Sequence, residues 1–122
     1  MTYLGVAVAG AVGAVARYVL HALVHDRVGG NFPWGTFLIN VSGSLLLGLI
    51  AGFALYHGLS DTPKAVLGSG FCGGFTTFST FAYDTVGLAE EGAHTTAIVN
   101  VVASTVAALV AAGVGLAVAG VL

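Results

Sequence analysis

Charge is scarce in this chain: three Lys or Arg and five Asp or Glu stand among 122 residues, 7% in all. A soluble domain typically carries about 25%, so an ordinary soluble domain is excluded. The net charge of −2 leaves no basic footprint for nucleic acid. One cysteine, Cys72, excludes an intramolecular disulfide and gives no sign of the redox compartment. The four histidines do not form a ligand set. His21 and His25 stand one turn apart and could bind a metal, but they lie at the end of an apolar segment, and His57 and His94 are isolated near loops. Metal-dependent catalysis is not expected, and the chain is read as a non-enzyme. The first apolar stretch lacks a basic leader, is too long for a signal core and contains Arg17, so it is read as a retained span.

What the chain has is apolar length, with 57% hydrophobic residues and a mean hydropathy of +1.01. About 20 apolar residues cross a hydrocarbon core of roughly 30 Å, and four such segments can be marked, at 3–23, 34–56, 65–86 and 95–122. The fold class expected is an all-α membrane protein, a single multi-pass domain of four transmembrane helices in the cell inner (plasma) membrane. The short connections hold most of the charge, including Asp26, Arg27, Asp61, Glu90 and Glu91. Four spans put both termini on one side with Lys64, and Arg27 on the other with Arg17 toward it. Lys and Arg in short loops set orientation, and this near-tie leaves two readings open. Either the topology signal is weak, or the protein inserts both ways and pairs head to tail as an antiparallel dimer.

Helices in lipid associate through small residues and interhelical hydrogen bonds, and three of the spans carry such stripes at every fourth position. They are Gly5, Ala9, Gly13, Arg17; Thr36, Asn40, Ser44, Gly48, Gly52; and Thr96, Asn100, Ser104, Ala108, Ala112. Residues four apart share a helix face, so each stripe should face protein or water. A mid-span carboxamide needs partners, and Asn40 fits either an interhelical hydrogen bond or a donor facing an anion. Arg17 fits a water-filled vestibule, a subunit interface, or a side chain snorkelling to the membrane surface.

The most informative stretch is Gly73-Gly74-Phe75-Thr76-Thr77-Phe78-Ser79-Thr80-Phe81 in the third segment. Irregular backbone at membrane depth is tolerated where it lines a cavity or is buried in protein. Gly73 and Gly74 are expected to release the helix, freeing carbonyls near Gly73 and Thr76. A small cation such as Na+ could take those oxygens, or Ser and Thr side chains and water could cap them. Phe78 and Phe81 share a face, and a phenyl edge is positive where its face is negative. Their edges, with the hydroxyls of Thr77, Ser79 and Thr80 and the amide of Asn40, could form a weakly polar anion path; plain core packing is the alternative.

The chain resembles the Fluc fluoride channels, also called the CrcB family. The resemblance rests on Gly13-x-x-x-Arg17-Tyr18, Gly35-Thr36-x-x-x-Asn40-x-x-Gly43 and Gly70-x-x-Gly73-Gly74-x-Thr76-Thr77-Phe78-Ser79-Thr80-Phe81, and it is weaker in the fourth span. It implies passive, fluoride-selective export through an antiparallel dual-topology homodimer with two pores and a structural sodium ion at its centre. By position, Phe78 and Phe81 match the rings lining the fluoride path, Asn40 the second-span asparagine and Thr36 the hydroxyl one turn before it. Gly73 and Thr76 match the sodium-binding carbonyls, and Arg17 the arginine near the vestibule. Thr77, Ser79, Thr80 and Ser104 complete the expected pathway. Ala82 replaces a common serine, Asp84 stands where glutamate is usual, and Asn100 and Ser104 fit the fourth-span stripe approximately. Two rival readings are a small multidrug exporter, which needs a membrane-embedded carboxylate that the first span lacks, and a non-transporting structural subunit.

Overall fold

In hydrocarbon every backbone group must find its partner within the protein, which makes helices of uncharged apolar runs. The computed structural model describes residues 2–28 and 30–122. Three of its helices are unbroken and apolar enough to cross a membrane: α1 (Thr2–Arg27), α2 (Trp34–His57) and α6 (His94–Val121). The 24 residues of α2 reach ~36 Å at 1.5 Å per residue. Gly58 ends α2 in the left-handed region at φ 68°, its amide returning to the Phe53 carbonyl.

The third crossing is two limbs. The first runs without interruption through α3 (Asp61–Lys64), a π-helical segment (Ala65–Cys72) and α4 (Gly73–Phe75); the second is α5 (Ser79–Glu90). Between them Thr76, Thr77 and Phe78 are non-helical, with Thr76 extended at ψ 158°. The expected release at Gly73 and Gly74 is therefore corrected: Gly73 is helical at φ −61°, ψ −38°, and the break begins three residues later. Glycine permits a break without requiring one. Gly74 serves close packing instead, because a Cβ there would overlap the Gly10 carbonyl of α1.

The stripes find protein partners. The α1 stripe lies on the first limb of the third crossing, with Gly5 against Val66, Gly13 against Phe71, and Gly70 against Val6 and Ala9. The helices α2 and α6 pack along each other most extensively. There Gly48 meets the Ala112 backbone and Gly115 the backbone around Leu45 to Leu49, so neither position has room for a Cβ. His57 Nε2 lies 2.7 Å from the Ala119 carbonyl at one end of this pair.

Large apolar side chains face outward, and polar ones share the interior with apolar ones. Of the three largest fully buried side chains, Ile39, Asn100 and Thr36, two are polar, while Leu and Val residues such as Leu109, Val110 and Val15 are exposed. An apolar exterior suits a solvent of lipid tails, and the polar side chains that need protein partners, Thr36, Thr77, Asn100 and Ser104, are held inside beside apolar Ile39, Ile50 and Phe75.

Candidate functional site

The break is built by hydroxyls and one carboxamide. Thr76 closes the first limb with both its amide (2.9 Å) and its Oγ1 (2.8 Å) donating to the Cys72 carbonyl. Such local side-chain bonds compete with helix continuation. Thr77 is then captured from α2: its amide donates to Asn40 Oδ1 at 2.9 Å, and Asn40 Nδ2 donates to its carbonyl at 2.8 Å. Thr77 Oγ1 in turn accepts the Thr80 amide at 3.1 Å, satisfying a free N–H in the first turn of α5 as an N-cap does. Arg17 Nη1 reaches the Thr76 carbonyl at 3.4 Å, a long contact.

Three cavities meet at these residues. One of ≈ 330 Å³ is lined by Asn40, Ser44, Thr77, Phe78, Phe81 and Ser104, among other neutral residues. A second of ≈ 450 Å³ shares Leu47 and Thr76 with it and extends past Gly73, Cys72 and Ser69 to Lys64. A third of ≈ 330 Å³ shares Thr77 with the first and holds Arg17, Thr36 and Thr80. Thr76 and Thr77 both line the first, Thr76 alone continues into the Lys64 cavity and Thr77 alone into the Arg17 cavity, so a cation lines each of the two outer cavities. The rings of Phe78 and Phe81 lie 5.9 Å apart and tilted by 48°. Phe78 is 78% exposed.

The family model described as CrcB-like protein, Camphor Resistance (CrcB), matches residues 4–116. The chain belongs to the CrcB family. Among its relatives are the protein of Symbiobacterium thermophilum named Fluoride-specific ion channel FluC 1, 49% identical over 96% of each chain, and that of Geobacter sulfurreducens named Fluoride-specific ion channel FluC, 48% identical over 94% of each. A third, from Leifsonia xyli subsp. xyli and named Fluoride-specific ion channel FluC 1, is 47% identical over 95% of this chain and 85% of its own.

In this CrcB protein the residues singled out in the sequence do not all meet in one place. Asn40, Thr77, Phe78, Phe81 and Ser104 share the first cavity. Thr36 does not line it; it is 1% exposed, and its hydroxyl donates to Asp84 Oδ2 at 2.9 Å. Asp84, within α5, is thus the partner of an α2 hydroxyl. Thr80 faces the Arg17 cavity, and exposed Ser79 lies 3.3 Å from the Thr77 hydroxyl. Ser104 directs its hydroxyl hydrogen to Asn100 Oδ1 at 3.0 Å.

Gly73 and Thr76 both line the Lys64 cavity. The Thr77 amide, which would bond the Gly73 carbonyl in an unbroken helix, is turned to Asn40 instead.

His21 packs on Gly35 between α1 and α2, its ring stacked 6.5 Å from that of His25. Among the described residues no group of three or more His, Cys, Asp or Glu is placed to hold a metal.

Sequence reasoning missed Ser44 and Thr105 as lining residues of the first cavity. Ser44 was legible as the residue one turn after Asn40 in the α2 stripe. Thr105, beside Ser104, had no signal of its own. Thr85 was also missed: it links α5 to α6 by accepting from Asn100 at 2.8 Å, and nothing in the third-span motif marks it.

Proposed function

We propose that this chain is a fluoride-selective channel of the plasma membrane, a multi-pass protein that lets fluoride leave the cell passively and catalyses no reaction. The observation that carries this reading is the groove in which the Phe78 and Phe81 rings meet Asn40, Ser44 and Thr77, with no charged side chain in its lining. Family membership supports it, as do relatives named as fluoride-specific channels. The exporter and structural-subunit readings have no comparable support.

Fluoride is small and strongly hydrated, so a path must replace its water with donors without binding it too tightly to leave. Many weak donors serve better than one cation. Ring edges carry partial positive charge, and Asn40 has two N–H groups, of which one holds the Thr77 carbonyl. Its second N–H is the donor offered to the ion. Arg17 and Lys64, lining the flanking cavities, raise the local anion concentration without sitting in the narrow part. An interior-negative potential favours anion exit by about 2.3 kcal/mol per charge per 100 mV.

The channel works as an antiparallel homodimer. A groove with polar walls open on one face of a lipid-exposed protomer needs a cover, and a second copy inserted the other way supplies one. The near-balance of Lys and Arg across the membrane agrees with insertion in both directions. A structural sodium ion fits the break: the Gly73 carbonyl has lost the amide of Thr77, and the Thr76 carbonyl has only the long Arg17 contact. Main-chain oxygens suit a hard monovalent cation, and a second copy would double the set. Sodium would neutralise carbonyl dipoles at the break; the residues around it hold the backbone open.

Reconstitution into liposomes loaded with fluoride tests the reading, with release followed by an ion-selective electrode while a potassium ionophore sets the voltage. Fluoride release with chloride retained is expected. Equal passage of chloride, or no release, would overturn it.

A further inference from the structure

A chain of hydrogen bonds runs behind Phe81 that the ion path does not use. Ser104 Oγ donates to Asn100 Oδ1 at 3.0 Å, Asn100 Nδ2 donates to Thr85 Oγ1 at 2.8 Å, and Thr85 Oγ1 donates to the Phe81 carbonyl at 2.8 Å. The direction of every link is fixed by chemistry. The Phe81 carbonyl can only accept, so the Thr85 hydroxyl gives it the hydrogen and keeps its lone pairs for Asn100. The nitrogen of Asn100 must then face Thr85 and its oxygen Ser104, which donates.

A threonine bonding back to the carbonyl one turn earlier is common by itself and does little more than bend a helix slightly. Here the same hydroxyl is also held from a different helix, by a carboxamide that is 1% exposed. The chain begins at one wall of the Phe78 and Phe81 cavity, Ser104, and ends on the backbone of the opposite wall, Phe81. It therefore ties α6 to α5 at the height of the aromatic pair.

We propose that Thr85 and Asn100 are positioning residues: together they form a strut that sets where the Phe81 ring stands relative to the α6 wall of the ion path. The proposal rests on the fluoride-channel reading. It also gives Ser104 a different part from the one its place in the cavity suggests. With its single hydrogen committed to Asn100, Ser104 anchors the strut rather than donating to the ion.

Thr85→Val keeps the branched shape and removes the hydroxyl, and its fluoride flux is expected to fall about tenfold or more, whereas Thr85→Ser should stay within about twofold of the parent. Orphaning Asn100 could impair folding, so the paired variant Thr85→Val with Asn100→Leu is made alongside. Replacing both partners by apolar groups avoids a buried unpaired amide, and this variant should assemble normally yet conduct as poorly. A second readout uses 4-fluorophenylalanine in place of phenylalanine, with the residue 81 resonance assigned through Phe81→Leu. Its 19F shift should move in the paired variant and not in Thr85→Ser. Parent-like flux in the paired variant, or an unmoved residue 81 resonance, overturns the strut. A parent protein that passes no fluoride overturns the channel reading instead, while the 19F comparison still decides the strut.

Discussion

Replacing Asn40 by alanine removes both hydrogen bonds that hold Thr77 out of helix, at 2.8 and 2.9 Å. Thr77 is 8% exposed, so neither its N–H nor its carbonyl has ready access to water. A buried backbone group left without a partner costs about 1–3 kcal/mol, or roughly 2–6 kcal/mol for the two. Even about 2 kcal/mol shifts the balance between the ordered break and its competitors by roughly thirtyfold. The nearest competitor is a continuous helix, in which the Thr77 amide returns to the Gly73 carbonyl and the two rings swing away from the groove. Asn40→Asp should be worse. Its carboxylate keeps an acceptor for the Thr77 amide, but it sets a second oxygen against the Thr77 carbonyl and places negative charge in an anion path. Flux from liposomes and hydrogen exchange at Thr77 are the assays. Asn40→Ala should lose at least tenfold in fluoride release, with faster Thr77 exchange where the break opens or altered protection where it straightens. If that variant conducts within twofold of the parent and Thr77 exchange is unchanged, Asn40 does not hold the break.

Phe81→Ile removes a ring edge while filling a similar space, and it should suppress flux with the oligomer intact on size exclusion; undiminished flux would sink the ring-edge path. Gly48→Val puts a branched side chain into the Ala112 backbone, an overpacking worth about 1–3 kcal/mol or more, and should lower the melting temperature in detergent. Arg17→Gln should reduce fluoride flux at low ionic strength and progressively less at high salt, since attraction in a water-filled vestibule is screened; a salt-independent loss would point to its Thr76 contact instead. Exchange of sodium for a large organic cation should slow flux and restore on sodium addition, and flux indifferent to sodium would remove the ion from the mechanism.

Membrane character, all-α class and the stripes were legible because composition and a four-residue spacing follow from lipid solvation and helix geometry alone. Gly5, Gly13 and Gly48 lie at helix contacts where small residues are required, as their spacing implied. The aromatic and hydroxyl motif was legible as the unusual segment. The partners of Thr36 and Asn100 were not, because Asp84 is 48 residues from the first and Thr85 is 15 from the second. No periodicity encodes such pairings.

The sequence by itself determined that this chain lives in lipid, that its third crossing carries residues able to leave helical geometry, and that few charges are available to set its orientation. The tertiary structure decided where that crossing breaks. Glycines at 73 and 74 make departure from the helix cheap without making it favourable, and both stay helical. Thr77 leaves the helix because the Asn40 carboxamide, 37 residues away in sequence, supplies the donor and acceptor that the helix would otherwise provide.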